Sequence, residues 1–243
     1  HTDSYGAYGG SGRSWWMGDP SIGTNGGYLD HWYQVLDTPP IDLPNSTQSQ
    51  TITFDQKRAI ENLCSGASCP ECSGGVLYDG WDAFNVRISS DGGETWEILT
   101  DVSPAYNSTD TYSFGYEFGE GCGIPGWGGP ETANPTWQQT SISIPVAYNG
   151  QEVIVRFAFS ADPGYCTTDN PNLTGVWVDN IDVASVFTND GEDETGFESK
   201  SLVALGGDLW HVDFIGVPPV IPMPENVVVT ALDGSVEVTL DAP

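Results

Sequence analysis

Basic residues are scarce in this chain. Its 243 residues carry six Lys and Arg against 34 Asp and Glu, a formal net charge of −28. A surface of that sign repels phosphate, which argues against nucleic-acid binding and against docking on anionic membranes. Long apolar runs are missing as well. No stretch approaches the ~20 residues of a membrane-spanning helix, so membrane insertion is not expected. Helical patterning is missing too, since no window of a dozen residues shows an apolar stripe with a period of 3.6. The three histidines, His1, His31 and His211, lie far apart. There is no His-Glu-x-x-His, no Gly-x-Ser-x-Gly elbow and no phosphate loop, so catalysis is not expected of this chain. Thirty-four acids always offer carboxylate pairs, but none stands out as a glycoside-hydrolysing couple. No initiator Met and no signal peptide are visible. The chain begins His1-Thr2-Asp3 and stops just after a strand-like run, as a mature or excised fragment of a longer protein would.

Core-forming material is plentiful. Hydrophobic residues make up 38% of the chain, with nine Trp, ten Tyr and nine Phe, which excludes a disordered polyanion. Their period is two. Apolar and polar residues alternate in Gln50-Thr-Ile52-Thr-Phe54, in Phe84-Asn-Val86-Arg-Ile88 and in Ser141-Ile142-Ser-Ile144. Val153, Val155, Phe157 and Phe159 mark a strand with one strongly buried face. Val176-Trp-Val178 and Ile181-Asp-Val183 read as one strand interrupted by a bulge near Asp179-Asn180. Thirty Gly and seventeen Pro punctuate these strands. The expected fold is all-β, a two-sheet antiparallel jelly-roll sandwich with long loops and a short C-terminal β segment. The expected division is a sandwich over 1–186, an acidic then Pro-rich linker or docking segment over 187–224, and an incomplete fibronectin-III-like segment over 225–243.

Five cysteines occur: Cys64, Cys69, Cys72, Cys122 and Cys166. In an exported chain they suggest two disulfides with one thiol left over. The spacing of Cys64, Cys69 and Cys72 also fits plant-type iron–sulfur ligation with Cys122 as the distant fourth ligand, or a zinc site. Asn-x-Ser/Thr sequons stand at Asn45, Asn107 and Asn172.

Three local patterns carry chemistry. Ser89-Ser-Asp91-Gly-Gly93-Glu-Thr95-Trp96 fits the S-x-D-x-G-x-T-W Asp box, a structural turn in which Asp91 caps backbone amides and Trp96 packs beneath. A single copy argues against a propeller. Tyr78-Asp79-Gly80-Trp81-Asp82 sets two carboxylates around an aromatic ring. It reads as an oxygen-rich calcium site, a sugar-stacking Trp beside polar groups, or a turn with solvated acids. Asp179 sits inside an apolar strand, where an acid needs a hydrogen-bonding partner or a cation. Calcium is the expected cofactor there, with Asp162 as a second ligand and Asp169 and Glu120 as weaker candidates. Trp81, Trp127 and Trp137, near Gly-rich loops, are the candidates for ligand stacking.

Together the pieces resemble a known family. Gly12-Arg-Ser-Trp15-Trp16-Met-Gly18-Asp19, Tyr28-Leu-Asp30-His-Trp32 and Leu36-Asp37-Thr-Pro-Pro-Ile41-Asp42-Leu43 open the pattern. Thr53-Phe54-Asp55, the Tyr78–Asp82 segment, the Asp91 turn and Pro125-Gly-Trp127-Gly128 continue it. Gln151-Glu-Val153, Arg156-Phe157-Ala158-Phe159 and Gly175-Val-Trp-Val-Asp179-Asn180-Ile181 complete it. Over residues 5–186 the chain resembles the MAM-like, concanavalin-type jelly-roll module of secreted bacterial proteins such as immune-inhibitor-A-type metallopeptidases. The resemblance implies a two-sheet sandwich, placement outside the cell, and a structural calcium touching Asp179 with Asp30 approaching it. It implies a non-catalytic module for adhesion, ligand binding or domain presentation. Its partners would be neighbouring domains and a glycan or protein ligand. Two other functional expectations are a fibre or surface-layer subunit assembling by strand addition, and an accessory region of a secreted peptidase.

Overall fold

The computed structural model describes residues 7–10 and 12–203, together with the backbone of the strands at 210–213, 227–232 and 235–240. Two antiparallel sheets pack face to face. The seven-stranded sheet contains β1 (Ser14–Met17), β4 (Gln50–Ala59), β9 (Val102–Ser103), β10 (Gln138–Ile144), β12 (Gly175–Val183), β13 (Phe187–Asn189) and β15 (Trp210–Asp213). Its order is β15-β1-β12-β4-β10-β9, with β13 added on β12. The six-stranded sheet contains β2 (Tyr33–Asp37), β3 (Ile41–Asp42), β7 (Ala83–Ser89), β8 (Glu97–Ile98), β11 (Glu152–Ser160) and β14 (Glu198–Ser201). Its order is β14-β2-β11-β7-β8, with β3 paired to β11. Two small hairpins complete the strands, β5 (Glu71–Ser73) with β6 (Val76–Leu77), and β16 (Val227–Leu232) with β17 (Ser235–Leu240).

The period of two decides which side chains meet. Ile52 and Phe54 of β4, Val86 and Ile88 of β7, Val155 and Phe157 of β11, and Val176 and Val178 of β12 all enter one inter-sheet core. Their neighbours in sequence face outward. Trp16 of β1 stands opposite Trp177, and Trp177 opposite Lys57, so these three form a row across the outer face of the larger sheet. Trp16 and Trp177 stack at 5.7 Å, Trp137 packs against them, and the Lys57 ammonium lies 4.5 Å from the Trp177 ring and 4.7 Å from that of Trp137. The expected interruption of β12 is a bulge: its register with β4 shifts between Asp179 and Asp182, and Asn180 has φ of 49°.

After Val186, where a linker or docking segment is expected over 187–224, the described strands dock on the sandwich. Residues 187–189 extend β12's edge, β14 pairs with β2, and β15 pairs with β1. One edge of each sheet is thus closed by a strand from this segment, β15 on the larger sheet and β14 on the smaller. The composition suggested a linker because acids and Gly dominate, but edge strands tolerate exposed polar residues on both faces. In β15, His211 stands opposite Trp16. The Pro-rich stretch 216–224 lies outside the described residues. The closing segment forms the β16–β17 hairpin, with Val229 opposite Val238.

Two disulfides join Cys64 to Cys69 and Cys72 to Cys122, and Cys166 is a buried free thiol. This removes the thiolates that an iron–sulfur or zinc site would need. The first bridge closes the loop that follows β4. The second ties the β5–β6 hairpin to the loop after a short π-helix, π1 (Ser113–Glu117).

Candidate functional site

Three strand ends converge at one end of the sandwich. Ala83 opens β7 opposite Ser160, which closes β11, so Asp82 and Asp162 lie just beyond a paired position on adjacent strands. Glu61 follows the end of β4 in the facing sheet. One carboxylate oxygen from each of Glu61, Asp82 and Asp162 lies within 4.8 Å of the other two.

The surroundings hold these acids without neutralising them. Asp82 is 1% exposed; it accepts the Tyr28 hydroxyl at 2.5 Å and the Asp162 amide at 2.9 Å. The Tyr28 hydroxyl also accepts the Glu61 amide at 3.0 Å. Asp162 accepts the Gly164 amide at 3.0 Å. The Glu61 Oε2 and Asp30 Oδ1 atoms are buried and meet no donor. Among the described residues, no Lys or Arg forms an ion pair with Glu61, Asp82 or Asp162. Burial, followed by the charges of Asp82, Asp162, Glu131 and Asp30, pushes the Glu61 carboxyl up to about 10. Burial and then Asp162 hold Asp82 well above the ordinary carboxylate range. Asp162 is pushed up to about 6, by burial first and then by Asp30 and Glu117, against a hydrogen bond from Gly164. Carboxylates packed this way either retain protons or enclose a cation.

An all-oxygen donor set suits a hard divalent ion. Calcium takes oxygens at 2.3–2.6 Å, so ligands on opposite sides of it stand about 5 Å apart, compatible with the spacing of these three acids. Asp30, whose charge acts on both Glu61 and Asp162, flanks the group on one side and Glu131 flanks Glu61. Asp30 also belongs to a second cluster with Cys166 and Asp169, held within the same 4.8 Å.

Of the residues expected to bind metal, Asp82 and Asp162 come together, with Asp30 beside them. Asp79 and Asp179 do not join them. Asp79 accepts the Ser108 hydroxyl, the Thr109 amide and hydroxyl, and the Asp110 amide. Burial would raise its pKa, but these hydrogen bonds outweigh burial and hold it below the usual value. Asp79 therefore caps a loop, as Asp91 does in the Asp box, where it accepts Ser89 Oγ and the Thr95 amide. Trp96 donates to the Gly93 carbonyl, and the Arg156 guanidinium lies 3.7 Å from its ring centroid. Asp179 accepts the amides of Tyr8 and Asn180 and faces Asp55 on the outer side of the larger sheet. It anchors the N-terminal segment, and Asp30 approaches Glu61 rather than Asp179. Glu120 accepts the Tyr33 hydroxyl and pairs with Arg87. Asp169 caps the Cys166 amide.

The three tryptophans separate as well. Trp127 is 1% exposed and packs in the core against Phe84 and Tyr106. Trp137 belongs to the Lys57 row. Trp81 stands among partly open rings, 5.5 Å from Tyr112, whereas Trp137 also meets the exposed ring of Tyr8. Glu61 had no distinguishing motif: it is one acid among 34, and its role arises only where β4 ends beside β7 and β11. The sequence matches no protein-family model and no curated protein.

Proposed function

We propose that this chain is a non-catalytic, extracellular β-sandwich module whose loop end is locked by a calcium ion. Glu61, Asp82 and Asp162 supply the ligands, with Asp30 and Glu131 in support. One observation carries the reading: three carboxylates converge with no Lys or Arg ion-paired to them among the described residues, while Glu61 and Asp30 each keep a buried oxygen without a donor. Leaving that arrangement bare would be costly, and a divalent ion satisfies it. The non-catalytic reading is supported by Asp82, which is buried and already engaged by Tyr28, leaving a substrate no approach to it. Two disulfides favour an oxidising compartment. The MAM-like resemblance supports a role in adhesion, ligand binding or presentation of a neighbouring domain.

The experiment is thermal unfolding of metal-stripped protein with and without calcium. A calcium concentration 100 times Kd stabilises by about 2.7 kcal/mol, several degrees in melting temperature. An unchanged midpoint overturns the reading. Glu61→Gln spares the folded state the uptake of a proton at that carboxyl, so it raises the calcium-free midpoint, and it removes a carboxylate ligand, so it weakens the calcium response.

A further inference from the structure

We propose that Tyr116, Tyr112 and Trp81 form a stacking platform for a neutral saccharide, a ligand class that deepens the binding role proposed above and rests on it. Tyr116 is 63% exposed, the most exposed large hydrophobic side chain among the described residues. It lies on π1, and π-helical turns recur at functional sites. Its ring stacks on Tyr112 at 5.0 Å and 23°. Tyr112 is braced edge-on by Tyr78 at 5.4 Å and by Trp81 at 5.5 Å. The Tyr112 amide donates to the Gly80 carbonyl and the Ser113 amide to that of Trp81, so the rings are fixed before any ligand arrives. Such preorganisation lowers the entropic cost of binding.

The chemistry of the rim selects the ligand. Glu117, at the end of π1, is engaged by the His31 imidazole, and the His31 amide donates to the Asp162 carbonyl. His31 holds a left-handed backbone, φ 60°, which is unusual outside glycine. Carboxylates beside the rings repel anionic ligands and accept hydrogen bonds from hydroxyl groups. A cationic ligand would need rings arranged around a gap, but Tyr112 and Tyr116 lie against each other. A flat aromatic face flanked by acceptors instead matches the C–H face and hydroxyl rim of a pyranose.

Affinity electrophoresis tests this directly. The gels contain xylan, glucomannan or β-glucan as neutral probes, with heparin and polylysine as charged ones. At least one neutral polysaccharide is expected to retard the protein. Tyr116→Ala weakens that binding about tenfold or more. Tyr116→Phe keeps the ring and the binding. Tyr8→Ala, at a tyrosine 50% exposed whose ring meets Trp137 and whose amide is held by Asp179, leaves binding unchanged. Retardation only by heparin or polylysine, none by any probe, or equal retardation of wild type and Tyr116→Ala overturns the platform. A cooperative melting transition of the same samples shows that each variant is folded, and its shift with calcium reports on the calcium reading separately.

Discussion

The Tyr28 hydroxyl donates to Asp82 Oδ2 at 2.5 Å while accepting the Glu61 amide, so a single phenol ties two of the three clustered acids together. Tyr28 is fully buried, and its ring packs edge-on against Phe159 at 5.1 Å. Burial first, then the charge of Asp82, hold its hydroxyl well above the ordinary tyrosine range, so it stays a donor at all working pH values. Tyr28→Phe keeps the ring packing but strips a buried carboxylate of its donor and an amide of its acceptor. The expected cost is about 1–3 kcal/mol in urea unfolding. It falls toward the lower end with calcium, because the ion then balances Asp82.

At the proposed site calcium would compete with protons for the same three carboxylates, which fixes the sign of the pH dependence. Glu61 and Asp162 have folded-state pKa values raised to about 10 and about 6. The folded state therefore binds more protons than the unfolded state, and stability falls as pH rises. In metal-free protein, the contribution of these two groups is full below about pH 4. It declines through pH 6 as Asp162 ionises, and further toward pH 10 with Glu61. Calcium binds the ionised form, so the stabilisation it adds grows across the same window. Melting temperatures from pH 4.5 to 9, in dialysed and calcium-loaded samples, measure both trends. A calcium increment that does not change with pH contradicts this account.

Capping and ligation separate at Asp79. Its carboxylate receives hydrogen bonds from three consecutive residues, Ser108, Thr109 and Asp110, and its pKa is held low by them. Asp79→Ala releases that loop and is expected to cost about 1–2 kcal/mol, as lost helix and turn caps do. The calcium-induced melting shift stays that of the wild type, whereas Asp162→Ala abolishes it.

These assignments show what a reading along the chain can reach. The strands are legible because alternation is local: Ile52 and Phe54, or Val86 and Ile88, declare their shared face within three residues. The Asp91 turn is legible for the same reason, since Ser89 and Thr95 are the partners of Asp91. Asp79 is ambiguous in sequence because its partners lie about thirty residues on. Glu61 is invisible, since its significance depends on the ends of β4, β7 and β11 meeting in space. Over 187–213 the linker and docking alternatives stay open in the sequence because its acids suit a linker and an exposed edge strand equally.

Trp127 tests whether a Trp near Gly-rich loops stacks on ligand or on core. Its indole N–H donates to the carbonyls of Pro104 and Ala105, and its ring packs against Phe54, Phe84 and Tyr106. Trp127→Ala is expected to cost about 3–5 kcal/mol, the range for emptying a buried aromatic site. Trp81→Ala, at a partly exposed ring, costs much less. Chemical denaturation of both variants separates the roles. Similar losses would mean that Trp127 does not hold the core together.

The two disulfides close loops of very different length, so their removal should be unequal. Cys64 and Cys69 are five residues apart, whereas Cys72 and Cys122 are separated by 50. Chain-entropy reasoning assigns about 2 kcal/mol to the short closure and about 4 kcal/mol to the long one. The long bridge also does local work. It ties the β5–β6 hairpin to the loop that leaves π1, and that loop's Gly123 amide donates to Asp110, beside the Asp79 cap. Replacing Cys72 and Cys122 by Ser should therefore loosen π1 and its Tyr116 ring as well as lower global stability. Replacing Cys64 and Cys69 should act on the loop after Glu61 and shift the calcium response more than the Tyr116 environment. Urea unfolding gives the two stabilities, and amide exchange at 113–117 reports on π1. Equal losses, or unchanged exchange in the Cys72/Cys122 variant, would refute the division of labour between the bridges.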